Sequence, residues 1–258
     1  MEKRTNWIIG ILTVLIAFMD ITGIPCSFFL NVKIKDIEPI YWTLMVNFVF
    51  IGIIAWTILH FFCPDFRLGL QKNGFSQGFR KYGLWGILAA VVGFFAFYIG
   101  LYPLHAHPSL SKVLIEGVIY YIGVAIVEEL YVRGLLLNLL ERFLKRSSNS
   151  VLYAVILSSL IFGLGHIPGT LGMPVSVTMA KVVWTVGMGI YLGMVYTKSG
   201  NLWVPILIHF LINVSAIPYC FSTFRGYPNI TLLIEAVVYV VLGIYSIIQL
   251  MPGKHKSL

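Results

Sequence analysis

The chain is a succession of long apolar runs separated by short polar breaks. The runs extend over about Trp7 to Leu30, Ile40 to Phe62, Tyr82 to Pro103, Val113 to Val127 continuing to Leu140, Val151 to Gly165, Val182 to Tyr196, Leu202 to Ile217 and Ile230 to Leu250. Each is continuous rather than alternating, and most approach the roughly 20 residues that carry a helix across a hydrocarbon core. The pattern predicts eight helices, the shorter ones buried inside a bundle. The breaks, among them "NVKIKDIEP", "YPLHAHPS", "ERFLKRSSN", "HIPGTLGMP" and "TKSGN", carry Pro, Gly, Asn or charge. No internal repeat or low-complexity segment stands out.

Composition agrees with that pattern. Of 258 residues, 59% are hydrophobic and 11% charged, against about 45–50% apolar and about 25% charged in a soluble domain. The expected fold class is all-α, a polytopic membrane protein forming a single integral-membrane domain over 1–258. A β-barrel would need short alternating segments, which are absent from the sequence. With the N-terminus inside, Lys3, Arg4, Arg67, Lys72, Arg80, Lys81, Arg142, Lys145, Arg146, Lys198, Lys254 and Lys256 fall on the cytoplasmic side, and only Lys33, Lys35, Lys112, Lys181 and Arg225 fall outside. That bias puts both termini in the cytoplasm. The net charge of +8 then reads as anchoring to anionic membrane lipid rather than as a nucleic-acid footprint. "MEKR" before an apolar run imitates a signal peptide, but the run is too long and Asp20 interrupts it, so it reads as a retained span. The soluble segments are short and carry no organelle signal. A multi-pass protein of a bacterial plasma membrane is expected, an archaeal one being equally compatible. Cys26, Cys63 and Cys220 show no metal-ligand spacing and read as small hydrophobes.

Polar residues inside the runs stand out against this background. "AIVEELYVRG" sets Glu128, Glu129 and Arg133 in an apolar span, where each charge costs about 2.5–3.5 kcal/mol near the bilayer centre. At about 100° per residue, Glu129 and Arg133 share a helical face and can pair, while Glu128 points elsewhere and is free to meet a water-containing cavity. The alternative is the interfacial end of a helix with Arg133 snorkelling. "FGLGH" supplies His166, and "HFLIN" supplies His209 and Asn213 on one face of another span. A lone intramembrane histidine is commonly a structural hydrogen-bonder. Two histidines, an asparagine and a spare glutamate form an inventory for amide hydrolysis: a general base, groups that hold water, and donors for an oxyanion.

These three motifs resemble the EExxxR, FxxxH and HxxxN motifs of the CPBP family, which comprises prenyl-CaaX endopeptidases and the bacteriocin-processing or self-immunity proteins often called Abi. They occur in family order within a motif-bearing core over 113–217. The resemblance implies an intramembrane endopeptidase with a polar cavity in the helical bundle, acting on a membrane-associated, leader-bearing or lipidated peptide or protein substrate. It implies that Glu128 activates water, His166 helps hold that water, His209 and Asn213 stabilise the oxyanion, and Glu129 and Arg133 brace the helix. Zinc on Glu128, His166 and His209 is possible for such a family, although the helical HExxH arrangement is missing. The competing function is a non-catalytic self-immunity or partner-binding membrane protein. A transporter is less favoured because no inverted repeat is visible.

Other polar features have plainer readings. His105 and His107 sit in a Pro-flanked loop, His60 ends a helix and His255 belongs to a basic tail. Asp20, Asn47 and Glu116 are satisfied by neighbours or the interface, Glu116 being able to line the same cavity one helical stretch above Glu128. "NVS" at Asn213 and "NIT" at Asn229 match a glycosylation sequon, with Asn213 expected inside the bundle. Gly187, Gly189 and Gly193, with Met188 and Met194, read as close helix packing, with a substrate groove beside that helix a further possibility.

Overall fold

The computed structural model describes residues 32–251, apart from Lys35, Arg67 and Lys72, together with Gly10, Ile11 and Thr13. Those last three are helical; the rest of the expected first span, with Asp20 and Cys26, and the tail with Lys254, His255 and Lys256 lie outside the described residues. The described chain is helical, and among the described residues the only strand-like pairing is a bridge between Ile34 and Ile37. Seven helices in it are long and apolar enough to cross a membrane.

We number them α1 (Pro39–Phe62), α2 (Phe75–Gly100), α3 (Leu110–Leu144), α4 (Ser150–Thr170, ending in a 3₁₀ turn), α5 (Val175–Ser199), α6 (Trp203–Phe221, also ending in a 3₁₀ turn) and α7 (Asn229–Leu250). Prolines at the starts of α1, α5 and α7 mark where each helix begins, since a proline costs least where no intrahelical N–H partner exists. Two helices start earlier than the apolar runs suggest. α5 begins directly after Pro174, so Lys181 lies in its second turn rather than in an outside loop. α2 begins at Phe75 rather than Tyr82 and carries Arg80 and Lys81 in its first turns. Its partner end is tied at Gly200, whose φ of 61° closes α5 with an N–H bond to the Tyr196 carbonyl at 2.9 Å.

The chain rises and falls, so connections gather at two ends. At one end Asn201 donates to the carbonyls of Gln71 (2.6 Å) and Asn73 (3.1 Å), and Arg142 pairs with Asp65. At the other, Ala106 N–H bonds the Phe221 carbonyl at 3.0 Å, Ser109 bonds Asp36, and Arg225 pairs with Glu38 at 2.5 Å.

α5 is the buried axis of the bundle, with every residue from Gly187 to Tyr196 buried. Its glycines allow that approach, as their spacing suggested. A Cβ on Gly189 would lie 2.9 Å from Ser159 of α4, one on Gly193 would lie 2.9 Å from Val155, and one on Gly187 would strike the Tyr239 backbone of α7. Outward faces of α1, α2 and α7 stay apolar, with Ile53, Phe95, Ile99, Val241 and Ile244 exposed. On a membrane protein that is the lipid-facing surface.

Candidate active site

α3 carries the first motif, and it is not a regular α-helix. α-Helical Tyr120–Glu129 gives way to a π-helical segment over Leu130–Leu137 before the helix resumes at Asn138. A wider turn displaces carbonyls from their usual partners. Asn138 answers this by donating to the carbonyls of Arg133 and Gly134, each at 2.9 Å, and contacting Tyr196 Oη at 3.0 Å.

The four-residue spacing of Glu129 and Arg133 produces the expected ion pair, with Arg133 Nη1 donating to Glu129 Oε1 at 2.9 Å and both side chains buried. Arg133 Nη2 reaches the Gly189 carbonyl at 3.0 Å, and its guanidinium lies 5.0 Å from the Phe162 ring centroid. The brace therefore ties α3 to α5 and α4.

His209 of α6 joins the two adjacent glutamates. Its Nδ1 is 2.7 Å from Glu129 Oε1, and its Nε2 is 3.5 Å from Glu128 Oε2. Glu129 Oε1 already accepts from Arg133, so at this contact it is His209 Nδ1 that carries the hydrogen, and Nε2 faces Glu128. Glu128 keeps 16% of its side chain accessible while Glu129 keeps none. The split expected from helical geometry, one glutamate in the brace and one towards the cavity, is realised.

His166 ends the second motif. Its Nδ1 is 2.9 Å from the Phe162 carbonyl, so Nδ1 donates there and Nε2 is left as an acceptor. The Phe162 ring packs edge-on against both His166 (4.8 Å) and His209 (6.2 Å), which fixes the two imidazoles relative to each other. Glu128, His166, His209 and Asn213 all line one cavity of about 730 Å³. Asn213 is thus in a cavity wall, as expected of a sequon inside the bundle. Among the described residues no three His, Cys, Asp or Glu side chains converge closely enough to hold a metal ion. Glu128, His166 and His209 do not form such a donor set here.

The cavity runs on to Glu116, Glu38 and Arg225 at its mouth. Glu116 lines it, as its position above Glu128 suggested; it accepts the Glu38 N–H at 2.7 Å and pairs with Lys112 at 3.4 Å. Two residues of this neighbourhood were not singled out in the sequence. Lys181 lines the cavity from α5. Glu235 is buried in α7 beside Gly93 and Ser215, and its signal was available, since it is the only charge in the run "ITLLIEAVVYV". His105 and His107 are exposed in their loop. Cys63 and Cys220 are buried free thiols, and burial pushes the Cys63 thiol up to about 11, as befits an inert small hydrophobe.

A helical membrane bundle with a buried carboxylate–imidazole–carboxylate array opening into a cavity defines the class of protein. Within it, residues 109–215 match the family model described as Rce1-like, type II CAAX prenyl endopeptidase Rce1-like, a CPBP family. The resemblance read from the three motifs is borne out over that segment, and the family so matched is one of CAAX-type proteases. No curated protein matches the chain.

Proposed function

We propose that the chain is an intramembrane endopeptidase in which Glu128 activates the attacking water. The observation that carries this reading is the bridging of His209 between Glu129 and Glu128 at the inner end of the cavity. Water between Glu128 and His166 donates one hydrogen to the Glu128 carboxylate and the other to His166 Nε2. As its oxygen attacks the substrate carbonyl, Glu128 takes the first proton. The oxyanion that forms accepts from Asn213 Nδ2, and from His209 Nε2 when the ring carries a hydrogen there as well as on Nδ1. Glu128 then returns its proton to the leaving amine, and the C–N bond breaks. Glu129 and Arg133 act by holding His209 and α3 in place.

Residues 113–217 form the catalytic core of a single integral-membrane domain in this reading, and a membrane-associated, leader-bearing or lipidated peptide is the substrate. Both termini are cytoplasmic in a bacterial plasma membrane, supported by the concentration of Lys and Arg at the end bearing Arg142 and Lys198. The cavity mouth, at Glu38 and Arg225, then faces away from the cytoplasm.

The test is cleavage of a lipidated CAAX-type reporter peptide by protein purified into liposomes, with products identified by mass. His209→Ala and Asn213→Ala are each expected to lower cleavage about 10²- to 10³-fold, the usual contribution of an oxyanion donor. Cleavage is expected to survive chelation, with no stoichiometric metal in the active preparation; loss on chelation and recovery with zinc would require a metal-based mechanism instead.

A further inference from the structure

Among the described residues, the cations around the cavity are matched by carboxylates with one exception. Arg225 pairs with Glu38, Lys112 with Glu38 and Glu116, and Arg133 with Glu129. Lys181 lines the same cavity, yet among the described residues no carboxylate lies within ion-pair distance of its ammonium. Instead Nζ sits 3.7 Å from the Trp184 ring centroid and 5.2 Å from that of Tyr227. Two aromatic faces attract and aim an ammonium but leave its hydrogen-bond donors unused. A cation carried into a membrane-spanning helix under those conditions marks a ligand site.

We propose that Lys181 receives the free C-terminal carboxylate of the peptide substrate. This deepens the peptidase reading and rests on it. The ligand class follows from the surroundings. An anion is called for, the walls beside it are aromatic and apolar, and the hydrolytic groups share the cavity. The Gly189 carbonyl, eight residues further along the same helix, holds the Arg133 that braces Glu129, so α5 carries Lys181 and also supports the hydrolytic groups that share the cavity.

The experiment measures binding and cleavage separately. A farnesylated, fluorescent peptide ending in Cys and three apolar residues is made as the free acid and as the C-terminal amide. Affinity is measured in detergent on Glu128→Gln protein, whose turnover is blocked. The acid is expected to bind about tenfold or more tighter than the amide, the scale of one charge-assisted hydrogen bond. Lys181→Met in that background should bring the two within about twofold, and Lys181→Arg should restore part of the preference. Melting temperatures near that of the parent show that these variants are folded. Equal affinity for acid and amide, no measurable binding of the acid, or an acid preference that survives in folded Lys181→Met, overturns the proposal. Preference for the acid without cleavage by protein retaining Glu128 would uphold Lys181 as the carboxylate receptor while removing the peptidase reading.

Discussion

The cavity has a charged cluster at each end, each pairing glutamate with arginine but in different surroundings. At the inner end, Glu129, Arg133 and His209 are almost wholly buried, and beyond the Glu129–Arg133 pair within α3 the links reach α6 and α5. At the mouth, Arg225 keeps 65% of its side chain accessible and Glu38 31%, and the pairs connect the segment before α1, the start of α3 and the loop before α7. Removing one member of a buried pair leaves its partner stranded, whereas water substitutes for a partner at the surface. The inner cluster can therefore hold an imidazole in register with a carboxylate. The exposed Arg225–Glu38 pair at the mouth can only tether the chain segments that carry it.

Substitution separates the two most sharply at the inner end. Glu129→Ala or Arg133→Ala is expected to lower stability in detergent by about 3–5 kcal/mol, and the double variant by less than the sum. Melting curves that match wild type would remove the brace from the account. Next in size is Asn138→Leu, which leaves the Arg133 and Gly134 carbonyls without their donor beside the same cluster. Burial of such groups costs about 1–3 kcal/mol, measured as the shift in unfolding. At the mouth, Arg225→Ala should cost no more than about 1 kcal/mol, and the difference should shrink in high salt. A loss there as large as at Glu129 would mean that the ends do not differ in kind.

The smallest effect expected is a pH dependence outside the spans. The Ser109 hydroxyl beside Asp36 holds that carboxyl below its ordinary value, and the Arg142 guanidinium does the same to Asp65. For a depressed carboxyl the stabilisation is present above the unfolded value, about 3.9, and is lost as pH falls through the lower folded value. Melting temperature should thus decline slightly on acidification below about pH 4, and Ser109→Ala and Arg142→Ala should each blunt that decline.

What the sequence made legible follows from how far apart the partners lie. Glu129 with Arg133, and His209 with Asn213, are four residues apart, so helical geometry alone set them on shared faces. The contact of His209 with Glu129 spans 80 positions, and no spacing rule reaches across two helices; only the motif resemblance placed those residues in one site. The π-helical stretch over Leu130–Leu137 was not legible because its residue types suit a wide turn and an ordinary helical turn alike. Lys181 was misplaced for a related reason. The polar residues Ser176, Thr178 and Lys181 end the apolar run, but inside the bundle they do not end the helix. Thr185 Oγ1 returns a hydrogen bond to the Lys181 carbonyl at 2.8 Å, and the lysine finds aromatic walls.

Glu128→Gln tests the central claim most directly. Glutamine preserves shape and hydrogen bonding but cannot take a proton from water near neutral pH. Cleavage of the liposome reporter is expected to fall by about 10²- to 10⁴-fold, with expression and melting temperature at the wild-type level. Cleavage that persists at full rate in a Glu128→Gln protein of normal abundance would contradict the assignment of Glu128 as the base.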